Sequence, residues 1–325
     1  MELICPAGTP ASFRDAVSAG ADAVYCGFAD ETNARNFPGL NFSREEMAEA
    51  ISFGKQRGCR TFVAINTFMR AGDERLWHLA VNDAASLGAD ALILADIGLM
   101  AYAAQNHPDQ RLHVSVQAGA SNAEAIDFLV QSFNAKRVVL PRVLTLDEVE
   151  AIAQDAACET EVFVFGGLCV MAEGRCSLSS YATGKSPNMH GVCSPASHVS
   201  YRDSGKELVS KLGEFTINRF SADEPAGYPT LCKGRFNVSA DPGYAFEDPV
   251  SLDILHEVDR LERAGVKALK IEGRQRGKAY VTSVVATIKE ALATPADDRA
   301  RLVEKLRRQS EGQKTTSGAY EKRWR

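Results

Sequence analysis

AGADAVYCG at 19–27, LGADALILAD at 87–96 and AGVKALKIEG at 264–273 are one phrase met three times. Each puts a glycine where a helix would end and follows it at once with a short run rich in Val, Leu and Ile, the pattern of a helix handing over to a buried strand. Working outward, further strands are expected at 2–5, 60–67, 112–119, 137–142 and 161–166, eight in all. Amphipathic stretches separate them, with helices expected at 10–18, 43–56, 74–86, 97–105, 123–133, 146–156, 251–264 and 280–293. Several open on a cap: Ser43 has Glu46 three positions later, and Thr145 has Glu148. Eight strand–helix alternations predict an α/β fold, a (β/α)8 TIM-like barrel. A doubly wound open sheet is the runner-up, but the first strand–helix turn, PAGTPA, lacks the glycine fingerprint of dinucleotide binding.

The seventh strand is not followed at once by its helix. The predicted organisation is therefore a barrel of seven strands over 1–167, an insertion over 168–250, barrel completion with the eighth strand and last two helices over 251–294, and a C-terminal helix and tail over 295–325. Two strand-like pieces, 214–219 and 235–239, lie inside the insertion. An insertion this long is normally functional. Leaving from the C-terminal end of a barrel strand, it is expected to lie over the face where active sites of this fold sit.

The insertion carries Cys169, Cys176, Cys193 and Cys232, with 6, 16 and 38 residues between successive members, in a stretch rich in Gly, Ser and Pro. Four such thiols point to a metal site. Structural zinc usually takes two short knuckles of cysteines two to four residues apart, and this chain has none, so the spacing favours an iron–sulfur cluster and leaves zinc as the rival. Cys5, Cys26, Cys59 and Cys158 fall in regular-looking segments where cysteine behaves as a small hydrophobe. MELICPAG reads directly as a strand rather than a signal peptide, so we expect a reducing, cytoplasmic setting without disulfides.

The 325 residues are 45% hydrophobic and 24% charged, enough to bury a large core, and no run approaches the roughly 18 apolar residues of a membrane span. A formal net charge of −5 offers nucleic acid no whole-molecule attraction. Basic residues gather only in RLVEKLRR and YEKRWR near the C-terminus, where a solvated helix face and a disordered tail are the default expectations.

Strand alternation predicts what enters the barrel. In RLHVSVQAG (111–119), Leu112, Val114 and Val116 share the face toward the helices, which directs His113, Ser115 and Gln117 inward. In VKALKIEGR (266–274), Lys270 and Glu272 point inward, and in TFVAINT (61–67) Asn66 follows Phe62 and Ala64. Deep residues, Lys270, His113 and Ser115, are expected to form a satisfied network, with Lys270 pairing Glu272 or a neighbour. Asn66, Gln117 and Glu272, at strand ends, are the catalytic candidates. Arg142, Arg274 and Arg276 present guanidinium forks suited to a carboxylate or phosphate, and Tyr25, Asn33 and Arg35 are expected on the same rim as substrate contacts. No HExxH, GxSxG or comparable hydrolytic constellation occurs.

EVFVFGGLCVMAEGRCSLSSY (161–181), GVCSPA around Cys193 and YPTLCKGR around Cys232 resemble the collagenase-like peptidases of unknown mechanism. DETNAR (30–35), AINTF (64–68), RVVLPRVL (137–144), KIEGRQR (270–276) and TTSGAY (315–320) extend the resemblance end to end, most closely to the branch serving anaerobic ubiquinone biosynthesis. The resemblance implies a 4Fe-4S cluster on Cys169, Cys176, Cys193 and Cys232. It also implies a heterodimer with a related, UbiV-like Fe-S protein and O2-independent hydroxylation of a ubiquinone-precursor ring, with prephenate as hydroxyl source. Other relatives hydroxylate ribosomal or transfer RNA bases, an alternative the acidic charge balance disfavours. A non-catalytic electron-transfer or scaffold subunit is the third expectation.

Overall fold

The computed structural model describes residues 1–321 apart from 189, 191, 225, 238–241, 275 and 311–313. Eight parallel strands close into a barrel: β1 (Glu2–Pro6), β2 (Ala23–Cys26), β3 (Arg60–Ile65), β4 (Ala91–Leu94), β5 (Leu112–Val114), β6 (Arg137–Val139), β7 (Glu159–Gly167) and, after the insertion, β14 (Ala268–Ile271), which pairs with both β7 and β1. Helices α1 (Pro10–Ser18), α2 (Arg44–Lys55), α3 (Arg75–Ser86), α4 (Ile97–Asn106), α5 (Ala123–Phe133) and α6 (Leu146–Asp155) fill the first six crossovers. The insertion holds α7 (Leu178–Thr183), an antiparallel sheet of β8 (Val199–Asp203), β9 (Glu207–Leu212) and β10 (Phe215–Ser221), and a β11 (Arg235–Asn237)–β12 (Pro242–Tyr244) pair. Then come β13 (Ser251–Asp253) and α8 (Val258–Ala264), and beyond β14 lie α9 (Lys278–Leu292), α10 (Ala300–Arg307) and β15 (Thr315–Thr316). No described helix is long and apolar enough to cross a membrane.

The repeated phrase works as its residues require. Gly20, Gly88 and Gly265 sit at φ of +96°, +80° and +97°, and the next residue's N–H returns to the preceding helix: Ala21 to Ala16, Ala89 to Ala84, Val266 to Leu261. Such a left-handed end suits glycine because it has no Cβ to clash. Asp22 and Asp90 then accept the N–H of Leu3 and Thr61, each at 2.7 Å, tying the new strand to the previous one. The capping boxes expected at Ser43/Glu46 and Thr145/Glu148 are both formed.

Alternation divides the sheet into two faces. Leu112, Val114, Leu269 and Ile271 join the core between strands and helices, while Ile4, Tyr25, Phe62, Ala64 and Ile93 pack inside the barrel. At the N-terminal end the lumen is ionic. Arg137, 1% exposed, bonds Glu2 at 2.7 Å and Glu159 at 2.6 Å, and its Nη1 lies 3.2 Å from Glu161. Lys270 pairs with Glu161 at 2.5 Å, and His113 Nε2 accepts from Arg111 Nε at 2.9 Å. Lys270 therefore meets a neighbour on β7 rather than Glu272.

Several boundaries differ from expectation. The fifth strand stops at Val114: Ser115 caps a short 3-10 turn, Val116–Ala118, so Gln117 arrives from a turn. The sixth ends at Val139, leaving Arg142 in the turn that follows. The helix expected over 251–264 is α-helical only from Val258, after a 3-10 turn at Leu255–Glu257, because β13 first adds antiparallel to β7. β8 and β9 were not expected, and of the piece expected at 235–239, residues 238–239 lie outside the described residues. Residues 314–321 of the tail are packed rather than disordered: β15 pairs with β13, and Tyr320 is buried with its hydroxyl 3.4 Å from the Phe163 carbonyl.

Candidate active site at the barrel mouth

Cys169, Cys176, Cys193 and Cys232 line a single cavity over the C-terminal ends of the strands. They form its roof from three places: Cys169 and Cys176 from the loop between β7 and α7, Cys193 from the loop before β8, and Cys232 from a 3-10 turn, Leu231–Lys233. Cys193 lies within electrostatic reach of the other three. Burial pushes the Cys169 thiol up to about 12, with Glu173 adding to the shift and Arg142 opposing it. Burial likewise raises Cys232 to about 11 and lifts Cys176. None of Cys5, Cys26, Cys59 and Cys158 lines this cavity.

The barrel supplies the floor and walls. Ala64, Ile93, Val139 and Phe163 make the floor apolar. Tyr25 donates to the Ile271 carbonyl at 2.8 Å, with the Lys270 ammonium 4.0 Å from its ring centre. Asn66 accepts from the Ala34 N–H at 3.0 Å and donates to Ser115 Oγ at 3.4 Å. Gln117 lines the same space, and its side-chain amide has no hydrogen bond among the described residues. Glu272 accepts from the Gly167 N–H at 3.1 Å and lies 4.0 Å from Arg35 Nε. Burial works to raise its pKa, but Arg35 and Arg142 outweigh that and hold it below the usual carboxylate value.

The arginines divide. Arg142 is committed, its Nε 2.7 Å from Glu173 Oε1, its Nη1 on the Gly167 carbonyl, and its guanidinium 4.3 Å from the Phe163 ring centre. Arg274 is buried with no carboxylate paired to it among the described residues; it donates to Asn33 Oδ1 at 2.6 Å, and burial brings it down to about 10. Arg35 lines the cavity, whereas Arg276 is exposed and lines an adjoining cleft that shares Cys169, Cys193 and Cys232. Asn33, like Arg276, does not line this cavity. Fully buried, it bonds Phe28, Asn41, Arg35 and Arg274, so it braces the rim.

Sequence reasoning passed over Glu173, although CVMAEGRC places an acid between two thiols at the barrel mouth. Its Oε1 receives Arg142, while its Oε2 is buried without a hydrogen-bond partner among the described residues.

The fold and this roof define a (β/α)8-barrel protein whose C-terminal face is covered by a cysteine-bearing cap. Residues 8–324 match peptidase family U32, and the chain belongs to that family. It is 31% identical over 310 residues to a protein of Escherichia coli named tRNA hydroxylation protein P, covering 90% of this chain and 67% of that one. The 23S rRNA 5-hydroxycytidine C2501 synthase of E. coli is 30% identical over 307 residues, covering 93% and 41%. A Porphyromonas gingivalis protein named collagenase is 30% identical over 302 residues, covering 90% and 65%. The chain thus spans about two thirds or less of the length of these relatives. Among solved structures, the U32 peptidase Mk0906 aligns over 50% of this chain and 69% of its own at 20% identity and a TM-score of 0.42.

Proposed function

We propose that this chain is an oxygen-independent hydroxylase that holds a 4Fe-4S cluster on Cys169, Cys176, Cys193 and Cys232. The donor set supports it: four thiols converge on one cavity, and four cysteine sulfurs are the usual ligands of such a cluster. Around one zinc, thiolates at 2.3 Å in a tetrahedron would lie about 3.8 Å apart. Among the described residues no three of these sulfurs fall within 4.8 Å of one another.

When bound, the cluster supplies electron-transfer chemistry at the roof of the cavity. The remaining work falls to the chain. The apolar floor of Ile93, Val139 and Phe163 suits a planar ring and keeps water from it. Arg274 and Arg35 offer positive charge to an acidic group, and Glu272 and Asn66 are held by backbone contacts in fixed directions at the wall. Peptide hydrolysis has less support, because the cavity's serines, Ser115 and Ser179, have no histidine among the lining residues.

The finer reading is a UbiU-like role in a reducing, cytoplasmic setting: hydroxylation of a ubiquinone-precursor ring without dioxygen, in a heterodimer with a UbiV-like Fe-S protein and with prephenate as hydroxyl donor. The observation carrying it is the convergence of four thiols over an apolar floor of Ala64, Ile93, Val139 and Phe163. A second reading, hydroxylation of an RNA base, is favoured by the names of the E. coli relatives. One experiment separates them. Cells lacking the protein are grown without oxygen, and mass spectrometry measures quinones and RNA nucleosides in the same cultures. Loss of quinone with intact nucleosides supports the first reading, the reverse supports the second, and no loss of either removes both. In the affected assay, Glu272→Gln is expected to abolish product while iron content stays at wild-type level.

A further inference from the structure

Glu173 is 7% exposed and lines the cavity. One of its oxygens is accounted for by Arg142; the other is buried and has no hydrogen-bond partner among the described residues. Leaving a buried charged acceptor unsatisfied is costly, so such an atom calls for a partner. Ion pairing with Arg142 explains the position of the carboxylate but needs only the first oxygen.

The backbone fixes where that carboxylate lies. Residues 172–175 form a turn closed by the Arg175 N–H on the Ala172 carbonyl at 3.1 Å. Gly174 within it has a φ of +75°, and a Cβ there would overlap the carbonyl oxygen of Gln117. The loop between two roof cysteines is thereby pressed onto the barrel turn Val116–Ala118. The loop that carries Glu173 thus rests on the turn that carries Gln117, whose side-chain amide makes no hydrogen bond among the described residues, and both residues line the cavity. An anionic acceptor and an amide thus line one cavity together with the apolar Ala64, Ile93, Val139 and Phe163.

We propose that Glu173 is a substrate-contacting, specificity-determining residue, its free oxygen accepting a hydrogen bond from a hydroxyl group on an aromatic ring held in the cavity, with Gln117 bonding the same hydroxyl or its neighbour. The inference rests on the cavity being the substrate chamber. It excludes rings that present only acceptors, because a carboxylate cannot donate.

The test compares 4-hydroxybenzoate with 4-methoxybenzoate, which share an acid group and ring but differ in the O–H donor. Binding to the anaerobically purified protein with its cluster is measured by calorimetry. Wild type is expected to prefer the hydroxyl compound about tenfold or more. Glu173→Gln keeps an oxygen for Arg142 yet turns a donor toward the ligand; it should reduce the preference to about twofold while retaining iron and its affinity for the methoxy compound. Should that variant lose iron, Glu173→Asp, which keeps the charge but shortens its reach, is read instead and should show a reduced preference. No preference in wild type, or full preference in the variant read, overturns the proposal. Binding is measured without turnover, so the absence of any hydroxylated product in cells would count against the proposed reaction and leave this result standing.

Discussion

Replacing Arg142 by methionine separates a structural arginine from a substrate-binding one. The side chain is buried, and it joins three parts of the mouth: the Glu173 carboxylate, the Gly167 carbonyl at the end of β7, and the face of Phe163 in the lumen. Methionine matches much of its length but leaves Glu173 as a buried charge with no partner for either oxygen. Breaking a buried pair from one side costs about 3–5 kcal/mol, whereas replacing both members with apolar groups is often close to neutral. Taking roughly 2 °C per kcal/mol for a chain this long, the melting temperature should fall by about 6–10 °C. Arg142→Met/Glu173→Leu should recover most of that loss, giving a coupling energy of on the order of 2 kcal/mol or more. Thermal unfolding by circular dichroism under anaerobic conditions, with iron measured on the same samples, makes the comparison. An Arg142→Met protein that melts within about 2 °C of wild type and keeps its iron would refute the reasoning, and Arg142 would return to the substrate-binding role its sequence position first indicated.

Serine substitution of Cys169, Cys176, Cys193 or Cys232 is expected to lower bound iron sharply, whereas the same change at Cys5, Cys26, Cys59 or Cys158 should leave it intact, as read by iron and sulfide analysis. His113 offers a pH test: burial, then Arg137 and Arg111, push its pKa well below the ordinary value of about 6.5, so it is neutral in the folded protein. The unfolded chain takes up that proton first, so the contribution is complete above pH 6.5 and falls by up to about 1.4 kcal/mol for each unit of acidification below it. Urea unfolding at several pH values should show this slope reduced in His113→Gln. Gly174→Ala is expected to cost more than about 1 kcal/mol and to loosen the roof, because a Cβ at that left-handed position meets the Gln117 carbonyl; thermal unfolding and iron retention check it.

The barrel was legible because its signals are local and repeated. Gly20, Gly88 and Gly265 end helices through a backbone conformation that glycine adopts most readily, and Val–Leu–Ile runs after them have few places to go but a buried strand. Inward and outward faces follow from two-residue periodicity alone, which directs His113 and Lys270 into the lumen, where both are buried. The cap was less legible. β8 faces solvent along most of its length and β9 buries Val209, Ser210 and Leu212 without a two-residue alternation, so periodicity marks neither. β13 replaces expected helix because its partner, the extended end of β7, is 84 residues distant at the Ser251–Gly167 pair.

At the site, residue type was readable but commitment was not. Arg142 and Arg274 look alike in sequence, each a guanidinium just past a strand end. The difference arises from a third residue: Glu173 comes in from the insertion and occupies Arg142, while Arg274 faces neutral Asn33 and keeps its charge available to the cavity. Asn33 illustrates the converse, a polar rim residue consumed by four internal bonds. Polarity at a barrel mouth therefore divides into groups that build the rim and groups left with unused bonds. Glu173 Oε2, Gln117 and Arg274 are the unused ones in the same cavity as the four thiols. A molecule complementary to them carries an acid at one end, an O–H at another and an apolar ring between. That is the logic by which binding, rather than turnover, is the first property to measure on this protein.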